Sequence, residues 1–181
     1  MKGVVFVELI AMAESVAGED LVDEVLETAP LESGGVFTAV GNYPCSELMT
    51  LVQAFSERLN APVEDLQIMF GKWMFSRFVD GYPAFFEGKS DAFTMLESIE
   101  NEVHVEVRKL YPEVELPTFA TERLDDKTLQ MVYRSERPLV SFCHGMILAC
   151  VDHFGTPAEI SRTESAADGT FACDFRIKLA A

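Results

Sequence analysis

The sequence predicts an α+β fold, with an N-terminal helical lobe packed on a C-terminal lobe that carries a mostly antiparallel sheet with helices against it. Three observations predict it. Apolar residues recur at helical spacing through the first two-thirds of the chain. Alternation replaces that spacing after Pro117. A turn signal at Asp168-Gly169 separates two alternating runs at the end. A length of 181 residues suits one domain, or two lobes sharing one core. We expect a single domain over 1–181, with lobes of roughly 1–65 and 66–181.

The elements follow in order. Val5, Leu9, Met12 and Val16 mark a first helix, and Leu21, Val22, Val25 and Leu26 a short second one that ends near Pro30. Residues 31–35, Leu-Glu-Ser-Gly-Gly, read as a turn. Ser46 is the expected cap of a helix that runs to about Leu59, with Leu48, Leu51, Val52 and Phe55 facing inward. Ala61-Pro62 opens the next helix, which carries Leu66, Phe70, Trp73, Met74 and Phe78 and stops near Gly81-Tyr82-Pro83. A longer helix is expected from about Asp91 to Leu110, with the stripe Phe93, Leu96, Ile99, Val103, Val107, Leu110, ended by Tyr111-Pro112. Thr128 to Tyr133 alternates as a strand, 140–154 reads as a helix, and 158–162 with 171–179 reads as a hairpin.

Composition narrows the function. Fourteen basic against 30 acidic side chains give a net charge of −16. Such a surface repels nucleic acid and anionic membranes. No apolar stretch has the length of a bilayer span. The opening Met1-Lys2-Gly3 run is broken by Glu8 and Glu14, unlike a secretory signal. The expected location is therefore cytoplasmic. Cys45, Cys143, Cys150 and Cys173 form no C-x-x-C pair, and a disulfide framework is not expected. Fourteen Phe, beside one Trp and four Tyr, supply bulk for a large apolar interior or pocket.

Two features bear chemistry. Of three histidines, His144 and His153 lie nine residues apart on the late helix, on different faces, and His104 lies on the long helix beside its apolar stripe. No second His or Cys stands at chelating spacing from His104, which disfavours zinc. Such an imidazole is either structural or a ligand. As a ligand it suits haem, which needs only one axial protein ligand. Tyr133, Ser135 and Arg137 alternate, so a strand would place them on one face. They form either an exposed polar face or a clamp for a pair of carboxylates. Together, an imidazole, an apolar pocket and this clamp would suit a cofactor with an apolar body, a metal centre and two carboxylates. A direct Arg contact would outlast the general repulsion of the acidic surface, which salt screens beyond roughly 8 Å.

The Tyr133-x-Ser135-x-Arg137 triplet, with His104 upstream in a segment that runs to Tyr111-Pro112, resembles the haem nitric oxide/oxygen-binding (H-NOX) family, which includes the haem domain of soluble guanylate cyclase and stand-alone bacterial sensors. The Met1-Lys2-Gly3 opening is similar to the bacterial members, and the likeness spans essentially the whole chain. The resemblance implies haem b held between the lobes, helical distal and sheet-bearing proximal. It implies His104 as the iron ligand, Tyr133, Ser135 and Arg137 on the propionates, and Pro117 pressing on the haem. Oxygen-binding members carry a Tyr nine residues after the triplet Tyr, where this chain has Phe142. Their supporting Trp and Asn match Leu9 and Met74, and Val5, Phe78 and Met146 match further apolar pocket positions. Some relatives bind zinc near the C-terminus. Only Cys173 matches those ligands, with Ser141 and Glu164 where cysteines would stand, so zinc is not carried over.

The expected function is a ferrous-haem sensor that binds nitric oxide, and also carbon monoxide, and is not an enzyme. The resemblance implies that the gas weakens the bond to His104, that the long helix relaxes, and that a partner reads the moved surface. In bacterial relatives the partner is a histidine kinase or a cyclic-di-GMP enzyme. An oxygen sensor is the nearest alternative. A haem-free, redox-responsive interaction module using the cysteines is another. A haem enzyme is disfavoured, because no distal His or Arg is in view to assist O–O cleavage.

Overall fold

The computed structural model describes residues 1–180. Four helices come first: α1 (Gly3–Ala17), α2 (Glu19–Thr28), α3 (Cys45–Leu59) and α4 (Val63–Gly81). They bury one apolar cluster built on Phe6, Leu9, Met12, Val22, Leu48, Leu51, Phe55, Phe70 and Met74. Period 3.6 places the α3 set Leu48, Leu51, Val52 and Phe55 inward as expected. In α1 the buried stripe is Phe6, Leu9, Met12 and Ala13, and Val16 is 58% exposed. Ser46 does not cap α3. The cap position is Pro44, Cys45 is already helical, and no side chain satisfies the first turn. A fixed proline φ suits the entry to a helix without a side-chain cap.

After a short 3₁₀ turn at Pro83–Phe85, the expected 91–110 helix appears in three pieces: α5 (Ala92–Ser98), a π-helical segment (Ile99–Val103) and α6 (His104–Leu110). Asp91 caps α5 by accepting from the Thr94 N–H at 2.8 Å. The π segment holds more residues per turn, so it rotates every later side chain relative to the α5 stripe. His104 thereby turns inward, at 8% exposure, and Leu110, expected on the stripe, is 68% exposed.

Four antiparallel strands follow, β1 (Thr118–Asp125), β2 (Thr128–Ser135), β3 (Ala158–Ala167) and β4 (Thr170–Leu179), in the order β1-β2-β4-β3. Helix α7 (Val140–His153) lies between β2 and β3 in the chain. Asp168 and Gly169 both have positive φ, 52° and 78°, as a two-residue hairpin between right-twisted strands requires. Strand β1 was not expected. It is an edge strand with mostly exposed residues, so hydrophobic alternation scarcely marks it. It pairs Phe119 with Tyr133, and β2 pairs Tyr133 with Cys173 of β4.

A second apolar cluster joins α5, the inner sheet face and one face of α7, through Phe93, Leu96, Leu129, Met131, Tyr133, Ile147 and Phe175. The two clusters meet at the crossing of α4 and α7. Gly71 and Gly145 make that crossing close. A Cβ on Gly71 would lie 2.1 Å from the Phe142 carbonyl oxygen, and one on Gly145 would lie 2.1 Å from that of Ile68.

Candidate functional site

The predicted residues fall into three groups, the first of which packs beside this crossing. Leu9 and Met74 are buried, at 2% and 1% exposure, and Val5, Phe78 and Phe142 are partly buried in the same apolar cluster. Phe142 stacks obliquely on Phe70, with ring centroids 5.1 Å apart. Met146 lies at the crossing, where its backbone nitrogen faces Gly71. Not one of these side chains is a hydrogen-bond donor.

The second group is an aromatic row. The His104 ring lies 5.6 Å from Phe119, and Phe119 lies 5.7 Å from Tyr133, centroid to centroid. The π segment supplies Glu100, whose Oε2 lies 3.1 Å from His104 Nδ1. Glu100 also accepts from Arg108 Nη2 at 2.8 Å and from the Phe119 N–H at 3.2 Å. Burial works to raise the Glu100 carboxyl, but hydrogen bonds from Arg108, His104 and Phe119 outweigh it and hold the group below its ordinary value. Burial lowers His104, against the opposing pull of Glu100. The geometry sets a buried imidazole beside a carboxylate that already accepts from a guanidinium and a backbone N–H. Glu100 was not among the predicted residues. Its signal was the spacing of Glu100, His104 and Arg108, one acidic side chain among 30.

The third group lines a cleft of about 480 Å³ bounded by Arg108, Glu115, Leu116, Ser135 and Arg137, among others. Pro117 sits partly buried between Leu116 and Thr118, which both line it. Tyr133 is buried at 2% exposure, so the alternative of an exposed polar face does not hold for it. Burial pushes its phenol up, against the neighbouring Ser135 hydroxyl, and keeps it protonated as a donor. The expectation that Arg137 shares the strand face is corrected. β2 ends at Ser135. Arg137 follows in a bend, where its N–H donates to Ser135 Oγ at 3.1 Å and its Nη2 pairs with Glu115 at 2.8 Å. The turn brings Arg137 to the cleft, where strand alternation alone would not.

These groups fit a haem. An imidazole held by Nδ1 leaves Nε2 as its free nitrogen. Ser135 and Arg137 line a cleft where Arg108 and Arg134 stand beside Glu115 and Glu136, in a chain of net charge −16, and Tyr133 is buried two residues before Ser135 in β2. Among the described residues no three His, Cys, Asp or Glu side chains group to hold a bare metal ion. Ser141 and Glu164, which stand where the resemblance would put zinc ligands, belong to a clasp on Arg162. Its guanidinium meets Ser141 Oγ at 3.3 Å, His144 Nδ1 at 3.0 Å, Glu164 at 3.1 Å, and Glu64. Burial pushes the Cys143, Cys150, Cys173 and Cys45 thiols up, away from the reactive thiolate that a redox switch uses.

The clasp gives a pH prediction. His144 accepts from Arg162, so it must be neutral. Burial first, then Arg162 and Lys72, lower it below the ordinary 6.5, and Glu64 opposes them. A depressed imidazole contributes stability that is full above that ordinary value and is lost as pH falls through the depressed one. The melting temperature of the parent should therefore drop more than that of His144→Gln between about pH 7 and about pH 5. Parallel curves would remove His144 from the acid response.

Comparison with known proteins adds to this geometry. The haem-NO-binding family matches residues 2–162. The search of curated proteins finds no match. An unliganded Fe(II) H-NOX protein from K. algicida, in an A71G mutant, is 37% identical, covers 100% of this chain and 97% of its own, and superposes with a TM-score of 0.93. An H-NOX protein from S. oneidensis in the Fe(II)NO state is 28% identical over 100% of both chains, with a TM-score of 0.89. An oxygen-binding H-NOX domain related to soluble guanylate cyclases, in its oxygen complex, is 22% identical over 100% of this chain and 96% of its own, with a TM-score of 0.84. At that identity the likeness shows the fold alone.

Proposed function

The chain belongs to the haem-NO-binding family, a family of haem-based gas sensors, and from that premise we propose that it is a ferrous-haem sensor selective for nitric oxide over oxygen. The proposal takes 1–181 as one haem domain with haem b between its lobes. His104 is the iron ligand, and Tyr133, Ser135 and Arg137 hold the propionates. Bound haem supplies the iron that takes the gas.

The chain's own residues do the rest. Leu9, Met74 and Phe142, with Val5, Phe78 and Met146, exclude water from the distal side. His104 is the first residue of α6, so any change in the pull on its ring acts directly on that helix. Pro117 stands just before β1, whose Phe119 touches both His104 and Tyr133. A shift of α6 relative to β1 is the proposed output to a partner protein, with a histidine kinase or a cyclic-di-GMP enzyme as the type.

One observation carries the selectivity. Stable oxygen binding by a ferrous haem would call for a nearby hydrogen-bond donor, whereas nitric oxide binding would need little such help. The distal set has no side-chain donor. The test is on the unmodified protein, reduced, freed of reductant and opened to air. We expect a Soret band, a spectral change with nitric oxide and with carbon monoxide, and no air-induced spectrum that reverses under argon. A lasting reversible spectrum in air would overturn the selectivity in favour of oxygen sensing. Absence of a Soret band under haem-replete expression would overturn the haem reading itself.

A further inference from the structure

The wall that holds His104 is more specific than an imidazole on a helix requires. The His104 N–H donates to the Ile99 carbonyl, five residues back, which closes the π segment. Within that segment Glu100 faces His104, and its two oxygens take three donors from three places in the fold. Oε2 takes His104 Nδ1 and the Phe119 N–H, and Oε1 takes Arg108 Nη2. Arg108 is the next full turn of α6 beyond His104, and Phe119 is the second residue of β1. Glu100 is the only group that bonds the His104 ring among the described residues.

We propose that Glu100 is a positioning residue for His104, fixing the ring's angle and its Nδ1–H tautomer so that the lone pair stays on Nε2. The physical reason is a sign. An ionised carboxylate cannot donate, so the ring nitrogen that meets it must carry the proton. The other tautomer would set a lone pair against the carboxylate. Arg108 balances the charge of Glu100, and the Phe119 N–H fixes its position, so the acceptor does not swing away. A carboxylate on the far nitrogen also makes the imidazole a stronger electron donor. The inference rests on His104 as iron ligand only for its effect on haem. The tautomer stands without haem.

The experiment separates the two. In haem-free protein, nitrogen-15 NMR of the imidazole should report the Nδ1–H tautomer for the parent. Glu100→Ala should shift the ring toward a mixture with Nε2–H. Glu100→Gln keeps an acceptor oxygen without the charge and should retain much of the parent tautomer, and it serves where the alanine variant does not fold. In haem-loaded ferrous protein, Glu100→Ala should lower the iron–histidine stretching frequency and make the midpoint potential more positive. Haem transfer to an acceptor protein should be about 10- to 100-fold faster, the usual cost of losing such an outer partner. An unchanged tautomer in both variants would overturn the proposal, as would an unchanged iron–histidine frequency in loaded Glu100→Ala. A shifted tautomer in a protein that never takes up haem would sustain the role of Glu100 and overturn the haem reading instead.

Discussion

His104→Gly is expected to abolish stable haem binding, and free imidazole is expected to restore it with a five-coordinate ferrous spectrum. The ring is buried, at 8% exposure, so its removal leaves a space one imidazole wide in a packed wall. That space keeps a polar edge. Glu100 still accepts from Arg108 and from the Phe119 N–H, so removing His104 does not strand its charge. An isolated buried carboxylate would cost several kcal/mol and would close or flood the site. A partnered one stays in place to receive the N–H of an added imidazole. His144→Ala and His153→Ala should leave the spectrum unchanged. His144 is held by Arg162, and His153 is exposed against Phe75, Phe86 and Phe154. An unchanged spectrum for His104→Gly without imidazole would mean that another residue holds the iron.

Gly145→Ala should cost about 2 kcal/mol of stability net, because two effects oppose and the steric one is larger. Alanine in a helix interior is favoured over glycine by up to about 1 kcal/mol. The new Cβ, however, would lie 2.1 Å from the Ile68 carbonyl oxygen and 2.9 Å from its Cα, and this obstacle is backbone that no rotamer change relieves. Helices α4 and α7 must part, and forced separation of packed elements typically costs about 1–3 kcal/mol or more. For a chain of this length each kcal/mol lowers the melting temperature by roughly 2–4 °C. Chemical denaturation of the two proteins measures it. Equal midpoints would show that the crossing yields without cost, and that its closeness is not needed for packing.

The parts of the fold that were legible are those where one physical rule dominates. α3 shows its inner face through Leu48, Leu51, Val52 and Phe55, because one side of an amphipathic helix meets a core. Asp168-Gly169 marks its hairpin because few residue pairs accept two positive φ values. β1 was missed because an edge strand needs no buried face, although Asp125-Asp126 ahead of Thr128 was a usable turn signal. The π segment was missed for a different reason. The stripe Phe93, Leu96, Ile99, Val103, Val107, Leu110 satisfies an ordinary helix, and only the inserted turn makes His104, not Leu110, the inward residue. For the site, His104, Tyr133 and Ser135 could be read from identity and spacing. The way Arg137 arrives and the grip of Glu100 on the imidazole could not, because both depend on local geometry away from regular periodicity.

Helix α4 has a consequence for how the chain acquires its structure. Its Leu66, Phe70 and Met74 belong to one apolar cluster and its Phe75 to the other, with Val79 packed against that second one. The surface that covers its Gly71 side lies on α7, about seventy residues later in the chain. Loop-closure entropy must be spent before that contact forms. During synthesis α4 is therefore made well before its cover, and its apolar face must wait in a partly folded chain. Such a waiting face is the stage at which collapsed intermediates meet one another and aggregate. The gain is cooperativity: neither cluster is complete while α4 and α7 are apart, so the two cores form and melt as one.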